Sequence, residues 1–290
     1  MNLPLQIPMP ISPTRKPDVM FPKLACDSHA HIFGPLDQYP ILPQTHFIPN
    51  QNPWSEYVKV LNTLGCERAV LVQPSVYGTN NKAIFEALES RVFDLRAVAV
   101  VSPDITDQEL EKMDMAGFRG IRINTASATQ GLRIEDAPRL AQRIKHMGWH
   151  LQFFVNFRKT PELALQLKKL PINIVIDHFA CVDASLGLDS TGCKALLDLL
   201  EHDHCWAKLM GPYFTSTAHP KYQELLPIAR AMVQVAPDRL VWGTDWPHPS
   251  ARERMPNDGD LADLLAQWAG DEKDLQKILV TNPARLYDFA

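Results

Sequence analysis

The chain has 290 residues, of which 46% are hydrophobic, and this is long enough for one large α/β barrel of about 250 residues. A formal net charge of −4 excludes an extended basic field for nucleic acid, and no apolar run approaches the roughly 20 residues that span a membrane. The five cysteines show no disulfide-framework spacing, and the N-terminus lacks a signal-peptide pattern. We therefore expect a cytoplasmic protein that binds a small molecule.

The first 23 residues contain six prolines, each of which fixes φ and lacks a backbone N–H. This composition predicts an extended N-terminal arm over residues 1–23, either lying across the barrel surface or frayed. Residues 24–290 contain no interdomain linker or low-complexity tract, so they are predicted to form a single domain.

Short runs rich in Val and Ile alternate with helical patterns along residues 24–290. Near-continuous apolar runs are typical of parallel strands that are buried on both faces. The eight predicted strands are one that ends at His31 and the segments 69–73, 97–101, 120–123, 151–155, 174–177, 206–209 and 240–243. The alternation predicts a (β/α)8 TIM barrel, although a doubly wound open sheet has the same local pattern.

Helix start signals lie between several of these strands. The Asn-Pro pair at 52–53 precedes an apolar stripe, and residues 106–109 have the pattern of a capping box. The Thr-Pro pair at 160–161 predicts an N-cap followed by proline at the first helical position.

Polar side chains follow the strands at their carboxyl ends, where barrel active sites are built. His29 and His31 share one face of the first strand because strand side chains alternate with period two, so they can converge on one metal ion or one substrate oxygen. His178 follows the sixth strand and is predicted to face the barrel mouth. Asp245 follows the eighth strand, before a segment that is a poor helix start, and is predicted to aim its carboxylate there. His248, in the same segment, is a weaker candidate for substrate binding.

Arg122 lies on the predicted fourth strand, where a buried guanidinium needs an anionic partner. A carboxylated substrate would supply that partner. Ser75, Asn124 and Arg133 are candidates for further hydrogen bonds to the same anion, and the first two are equally consistent with turn residues. The pattern leaves the role of Lys208, on the seventh strand, open between a carboxylate partner and an interior polar layer.

The strand-end motifs resemble those of the amidohydrolase superfamily, and most of all its 2-pyrone-4,6-dicarboxylate lactonase group. The motifs that carry the resemblance, within residues 24–288, are 27–31, 73–75, 78–81, 117–124, 148–150, 174–178, 243–249 and 281–286. The resemblance implies a (β/α)8 barrel that hydrolyses a lactone bearing one or more carboxylates.

The resemblance also implies roles for individual residues. It makes Asp245 the general base, and it makes His29, His31 and His178 the groups that polarise the lactone carbonyl. It also implies that residues such as Ser75 and Arg122 bind a carboxylate of the substrate.

One segment departs from the pattern of these relatives. Many of them follow the sixth-strand Asp-His with a Gly-Arg-Pro type of sequence, whereas this chain continues with Phe179 and then Ala-Cys-Val at 180–182. We therefore expect one carboxylate contact to be missing here.

The resemblance leaves the metal requirement open. The pyrone lactonase group can work without a metal, while more distant amidohydrolases bind a divalent ion. The fourth-strand motif has no lysine to carry a bridging carbamate, so we expect no ion or one zinc or manganese ion. If one ion is bound, the resemblance implies His29, His31, His178 and Asp245 as its ligands. Because the pyrone lactonase group is the nearer of the two, we expect activity without an ion.

Two other functions fit the same pattern. A mononuclear metal-dependent decarboxylase of the superfamily would use the same residues but release carbon dioxide. A non-catalytic carboxylate-binding barrel would keep Arg122 but would not need three histidines that face an aspartate. We expect no nucleic-acid or membrane partner, and the sequence does not predict the oligomeric state.

Overall fold

The computed structural model of the protein describes residues 5–45, 47–126 and 131–290. Eight parallel strands follow one another in chain order around a barrel. They are β1 (Cys26–Ala30), β2 (Arg68–Val72), β3 (Asp94–Ala99), β4 (Phe118–Asn124), β5 (His150–Phe154), β6 (Ile174–Ile176), β7 (Cys205–Leu209) and β8 (Leu240–Trp242). This confirms the predicted (β/α)8 TIM barrel, with strand boundaries shifted by up to three residues from the predicted ones.

The first and last strands close the barrel just beyond their carboxyl ends. Ala30 forms a parallel bridge with Trp246, and the N–H of His31 donates to the Trp246 carbonyl at 2.7 Å. The N–H of Asp245 donates to the carbonyl of His29 at 2.9 Å. The closure therefore brings the histidine pair of β1 beside the aspartate that follows β8.

A buried carboxylate joins the same two strands through its side chain. Asp27 accepts a hydrogen bond from the backbone N–H of Thr244 at 3.0 Å and another from its hydroxyl at 2.7 Å. Burial raises the pKa of Asp27 to about 6, although these hydrogen bonds favour its charged form.

The helices lie between and after the strands. They are α1 (Trp54–Leu64), α2 (Lys82–Glu89), α3 (Asp107–Ala116), α4 (Ala137–Ile144), α5 (Ala164–Leu167), α6 (Thr191–Leu200), α7 (Leu225–Val235), α8 (Asp258–Ala269), α9 (Glu272–Gln276) and α10 (Asn282–Tyr287). Among the described residues, no helix combines the length and the apolar character that a membrane crossing needs.

Helical turns begin at all three predicted starts. α1 begins directly after Pro53, and α3 begins with a complete capping box between Thr106 and Glu109. At the third, Thr160 is the N-cap and Pro161 the first helical residue of a 3-10 turn that leads into α5, but the Thr160 hydroxyl donates to the Asn156 carbonyl at 3.1 Å instead of capping the turn.

The amino-terminal end of the barrel is filled by apolar side chains. Tyr287 and Phe289 pack with interior valines such as Val70 and Val175. The guanidinium of Arg68, the first residue of β2, lies 5.2 Å from the centre of the Phe289 ring. This packing lies at the end of the barrel opposite to the polar strand ends.

The described part of the N-terminal arm is extended and attached to the barrel at two places. Leu5–Gln6 pairs in parallel with Phe47–Ile48, and together they form a small separate sheet. Further along, Arg15 forms ion pairs with Asp260 and Asp263 of α8. The arm therefore follows the barrel surface rather than fraying over these residues.

Candidate active site

Three ligand-type atoms form a nearly equilateral triangle at the carboxyl ends of β1 and β8. The Nε2 atoms of His29 and His31 are 3.4 Å apart, and Oδ1 of Asp245 lies 3.6 Å and 3.5 Å from them. All three side chains are buried. The predicted convergence of the HxH pair with the last-strand carboxylate is therefore present in the structure.

The tautomer of neutral His31 follows from its backbone contact. Its Nδ1 lies 2.7 Å from the carbonyl oxygen of Val72, at the end of β2. A carbonyl oxygen can only accept, so Nδ1 carries the hydrogen and Nε2 of the neutral ring presents a lone pair. A neutral His31 therefore cannot donate a hydrogen bond to a lactone carbonyl, the role that the resemblance implies for it.

His29 contacts two buried groups of opposite charge behind the triangle. Its Nδ1 lies 3.4 Å from Oδ1 of Asp177 and 3.2 Å from Nζ of Lys208. Burial, together with the charge of Lys208, holds the pKa of His29 well below its ordinary value. The imidazole is therefore neutral near pH 7, and these two neighbours determine which of its nitrogens carries the hydrogen.

Asp177 is the buried anionic partner that Arg122 requires. Its Oδ2 accepts hydrogen bonds from Nε of Arg122 at 3.2 Å and from Nε2 of Gln152 at 3.0 Å. Burial works against ionisation of Asp177, yet the charge of Lys208 and the hydrogen-bond contact with His29 hold the pKa of its carboxyl well below the ordinary value. An internal carboxylate thus neutralises part of the guanidinium, a role that the sequence analysis assigned to substrate alone.

Lys208 combines the two roles that the sequence left open, because its Nζ lies in a buried polar layer and 3.9 Å from Oδ1 of Asp177. Its Nζ donates to the carbonyl of Ser28 and to Oε1 of Gln152, both at 2.8 Å. Burial lowers the pKa of this ammonium to about 8, although Asp177 favours the charged form. Lys208 therefore supports His29 from behind.

Asp245 is held from its outer side by a tyrosine that the sequence analysis did not identify. The hydroxyl of Tyr213 donates to Oδ2 of Asp245, so Oδ1 is left to face the two histidines. Burial works against ionisation of Asp245, but His178 and His31 outweigh it and hold the pKa of the carboxyl well below its ordinary value. Asp245 is therefore a carboxylate throughout the neutral pH range.

His178 reaches the site through an unusual backbone turn. Residues 178–181 all have φ between +51° and +54°, a region that non-glycine residues seldom adopt. The ring packs between Phe154 and Phe214, with centroid distances of 4.7 Å and 4.4 Å. Burial lowers the pKa of His178 to about 4, so the imidazole is neutral at pH 7.

A cavity of about 520 Å³ lies over these groups. His31, His178 and Asp245 line it together with the substrate-binding candidates Ser75, Arg122 and Asn124. The remaining lining residues are Leu5, Ile7, Thr45, Phe47, Pro74, Phe154, Phe214, Pro249, Ser250, Arg252 and Arg254. Three arginines thus line a cavity in which Asp245 is the one acidic residue among the described lining residues.

Two predicted substrate-binding residues lie outside this lining. His248 is fully buried, with Nε2 3.0 Å from Oδ1 of Asp258 and Nδ1 3.5 Å from the Tyr213 hydroxyl. Arg133 is exposed, and its backbone N–H donates to the carboxylate of Asp136 at 2.7 Å. The first therefore supports Tyr213 from behind the site, and the second begins a helical turn.

The donor triangle fits a single divalent ion. Two nitrogen ligands of a tetrahedral zinc ion, each about 2.0 Å from the metal, are about 3.3 Å apart. The three separations in the triangle, 3.4 Å, 3.5 Å and 3.6 Å, are close to that value. The lone pair on Nε2 of neutral His31 is also what a metal ligand requires. Asp177 contacts Nδ1 of His29, the position from which a carboxylate commonly orients a histidine that binds a metal.

These features define a (β/α)8 barrel with a buried imidazole and carboxylate centre beneath a cation-lined cavity, the arrangement of a hydrolase. The chain belongs to the amidohydrolase family, whose profile matches residues 26–289. It is 37% identical over 272 residues to the 4-sulfomuconolactone hydrolase of Hydrogenophaga intermedia, covering 92% of this chain and 90% of that protein. It is 35% identical over 282 residues to the 2-pyrone-4,6-dicarboxylate hydrolase of Comamonas testosteroni, covering 94% and 92%.

A solved structure extends the similarity to the fold. The crystal structure of a probable 2-pyrone-4,6-dicarboxylic acid hydrolase from Acinetobacter baumannii, with citric acid bound, matches with a TM-score of 0.79 at 26% identity. The match covers 92% of this chain and 100% of that one. The resemblance inferred from the strand-end motifs is therefore confirmed, and with it the assignment to lactone-hydrolase relatives.

Proposed function

We propose that this protein hydrolyses a ring lactone that carries at least one acidic group, a carboxylate or a sulfonate. The observation that carries the proposal is the position of Asp245 between the buried histidines and a cavity lined by Arg122, Arg252 and Arg254. Relatives named for a dicarboxylate lactone and a sulfonated lactone support this substrate class.

Asp245 is the proposed general base. Its carboxylate stays ionised near pH 7 and takes a proton from the water that attacks the lactone carbonyl carbon. The hydroxyl of Tyr213 holds Oδ2 and thereby orients Oδ1 toward the reacting water. The electron pair of the carbonyl bond moves onto the carbonyl oxygen, giving a tetrahedral oxyanion.

The neutral imidazole of His178 is the proposed partner of that oxyanion. His178 lines the cavity and is neutral at pH 7, and a neutral imidazole carries one N–H that can donate a hydrogen bond to the oxyanion. Collapse of the oxyanion breaks the bond between the carbonyl carbon and the ring oxygen. The ring oxygen then takes the proton back from Asp245, which regenerates the carboxylate and yields a ring-opened acid.

His29, His31 and Asp245 would hold one zinc or manganese ion, with His178 beside them. Such an ion supplies Lewis acidity, which polarises a carbonyl group and acidifies water.

The substrate's acidic groups are bound by guanidinium groups. Arg122 is held by Asp177 and stands over the Phe154 ring at 5.4 Å, while Arg254 is held by the Ser216 carbonyl at 2.9 Å. A guanidinium group that is held in place binds a carboxylate or a sulfonate in a preferred orientation. The lactone ring that carries these acidic groups is then positioned between the arginines.

The test is hydrolysis of 2-pyrone-4,6-dicarboxylate and 4-sulfomuconolactone, followed by loss of ring absorbance and by acid release in a pH-stat. We expect one of these to be opened with one equivalent of carboxylic acid released per turnover. Release of carbon dioxide would instead indicate the decarboxylase, and recovery of unchanged bound ligand would indicate a binding protein. Either result overturns the proposal.

A further inference from the structure

The N-terminal arm reaches the candidate active site, although it lies outside residues 26–289 that match the family. Leu5 and Ile7 line the same cavity as Arg122 and Asp245. The arm is therefore part of the wall of the site rather than a separate surface feature.

Several hydrogen bonds fix this part of the arm. The N–H of Ile7 donates to the carbonyl of Ile48 at 3.2 Å, and Nδ2 of Asn50 donates to the Ile7 carbonyl at 2.6 Å. Nε2 of Gln6 donates to Oδ1 of Asn50 at 2.8 Å. These contacts tie both polar groups of the Ile7 backbone to the segment around residue 48, so its side chain has a defined position.

The chemistry of this wall differs from that of the rest of the cavity. Leu5, Ile7 and Phe47 carry no charge and offer no side-chain hydrogen bond, whereas the arginines provide the anion contacts. Ile7 is almost fully buried, but the side chain of Leu5 is 47% exposed while lining the cavity. A ligand that covers Leu5 would remove this apolar surface from water, which favours binding.

We propose that Leu5, Ile7 and Phe47 form an apolar roof that binds the ring of the lactone, so that the arm determines selectivity for a cyclic substrate. We call these three residues the roof. The inference rests on the proposed function for the identity of the substrate. It assigns ring recognition to the roof and recognition of the acidic groups to the arginines.

The experiment compares a double variant of the roof, Leu5→Ala with Ile7→Ala, with the control Ile11→Ala. Ile11 is an exposed isoleucine of the same arm that does not line the cavity. The cyclic probe is 2-pyrone-4,6-dicarboxylate and the open-chain probe is citrate, which carries acidic groups but no ring. Both dissociation constants are measured by calorimetry, and KM and kcat are measured where the probe is hydrolysed.

We expect the double variant to bind the cyclic probe about tenfold more weakly, because less apolar area is available to cover the ring. The KM for its hydrolysis should rise by the same factor. The affinity for citrate and kcat should change less than about twofold, and Ile11→Ala should behave as the unaltered protein. Asn50→Ala, which detaches the Ile7 carbonyl without altering the roof side chains, should weaken cyclic-probe binding in the same direction.

Equal loss of affinity for the cyclic probe and for citrate would overturn the proposal, as would an unchanged affinity for both. Thermal unfolding of each variant identifies loss of fold, and Asn50→Ala provides an independent perturbation if the double variant unfolds. A protein that binds the cyclic probe but does not hydrolyse it would contradict the proposed function, and the binding comparison would still decide the role of the roof.

Discussion

His31 donates its Nδ1 hydrogen to the backbone carbonyl of Val72 across 2.7 Å. This contact joins β1 to β2 and leaves Nε2 of the neutral ring as an acceptor that faces Asp245 at 3.5 Å. A neutral His31 therefore cannot donate to a substrate oxygen, but it is ready to bind a cation. The resemblance favours activity without an ion, whereas this geometry favours one bound ion, so we now expect the ion to be required.

We expect exhaustive chelation to lower lactone hydrolysis by about a hundredfold and stoichiometric zinc to restore it, because Lewis acidity contributes several kcal/mol to such reactions. Metal content measured by mass spectrometry should be close to one ion per chain and should fall in His31→Ala. The control is His202→Ala, which removes an exposed histidine from a second HxH sequence at 202–204. Full activity in metal-free protein would show that the imidazoles act without an ion.

Asp245→Asn should reduce kcat by about 10³ or more while leaving ligand affinity nearly unchanged, because loss of a base acts mainly on the transition state. Steady-state kinetics and calorimetric binding of the substrate measure the two effects. Asp189→Asn, at a side chain that is 99% exposed, is the matched control. A loss of less than about tenfold would remove Asp245 from the mechanism.

Arg122→Met should raise KM for a carboxylated lactone by about 10- to 100-fold, since a charge-assisted hydrogen bond is worth roughly 1.5–3 kcal/mol. An uncharged lactone should be affected much less. Arg139→Met removes an exposed guanidinium of α4 that does not line the cavity and serves as the control. If both lactones lose affinity equally, Arg122 acts through Asp177 rather than by binding substrate.

His150 should make the protein sensitive to acid. Burial lowers the pKa of this fully buried imidazole to about 3, below its ordinary value near 6.5, so protons bind more readily to the unfolded chain. Its contribution to the free energy of unfolding is complete above pH 6.5 and declines as the pH falls, by about 1.4 kcal/mol per pH unit.

Urea unfolding at about pH 7 and pH 5 measures this effect. Between these two pH values the free energy of unfolding should fall by about 2 kcal/mol less in His150→Gln than in the unaltered protein. The exposed His146→Gln should show the unaltered pH dependence. An identical pH dependence in the His150 variant would contradict a depressed pKa at this position.

Ala180→Gly should stabilise the fold, because Ala180 has φ of +54° and an alanine is strained in that region. We expect a gain of about 1 kcal/mol, or roughly 2–4 °C in Tm by calorimetry. Ala195→Gly, within α6, is the opposite control and should destabilise by a similar amount. A fall in Tm for Ala180→Gly would show that the turn is not strained.

The sequence predicted the barrel and the meeting of four site residues for one physical reason. Parallel strands place their carboxyl ends at one edge, so the site could be brought together, without knowledge of any loop, from His29, His31, His178 and Asp245. Arg122 was also found, but its internal partner Asp177 was not, because a strand-end Asp-His pair does not reveal which of the two faces inward.

The remaining site residues depend on loops, whose paths leave no periodic signal. Tyr213 and Arg254 lie in short 3-10 turns within the connections after β7 and β8, and the paths of those connections bring them to the site. His248 was assigned to substrate because it follows Asp245 closely, yet its φ of +60° turns the chain there and Asp258 binds its ring.

The seam between β1 and β8 has a consequence for how the protein acquires activity. His29 and His31 come from the first strand and Asp245 from the end of the last, and these atoms meet where the barrel closes. A partly folded chain with every helix formed but an open seam would have no catalytic centre. In a refolding experiment, recovery of activity should therefore lag behind recovery of the helical circular dichroism signal. The time at which activity appears then measures when β1 pairs with the end of β8.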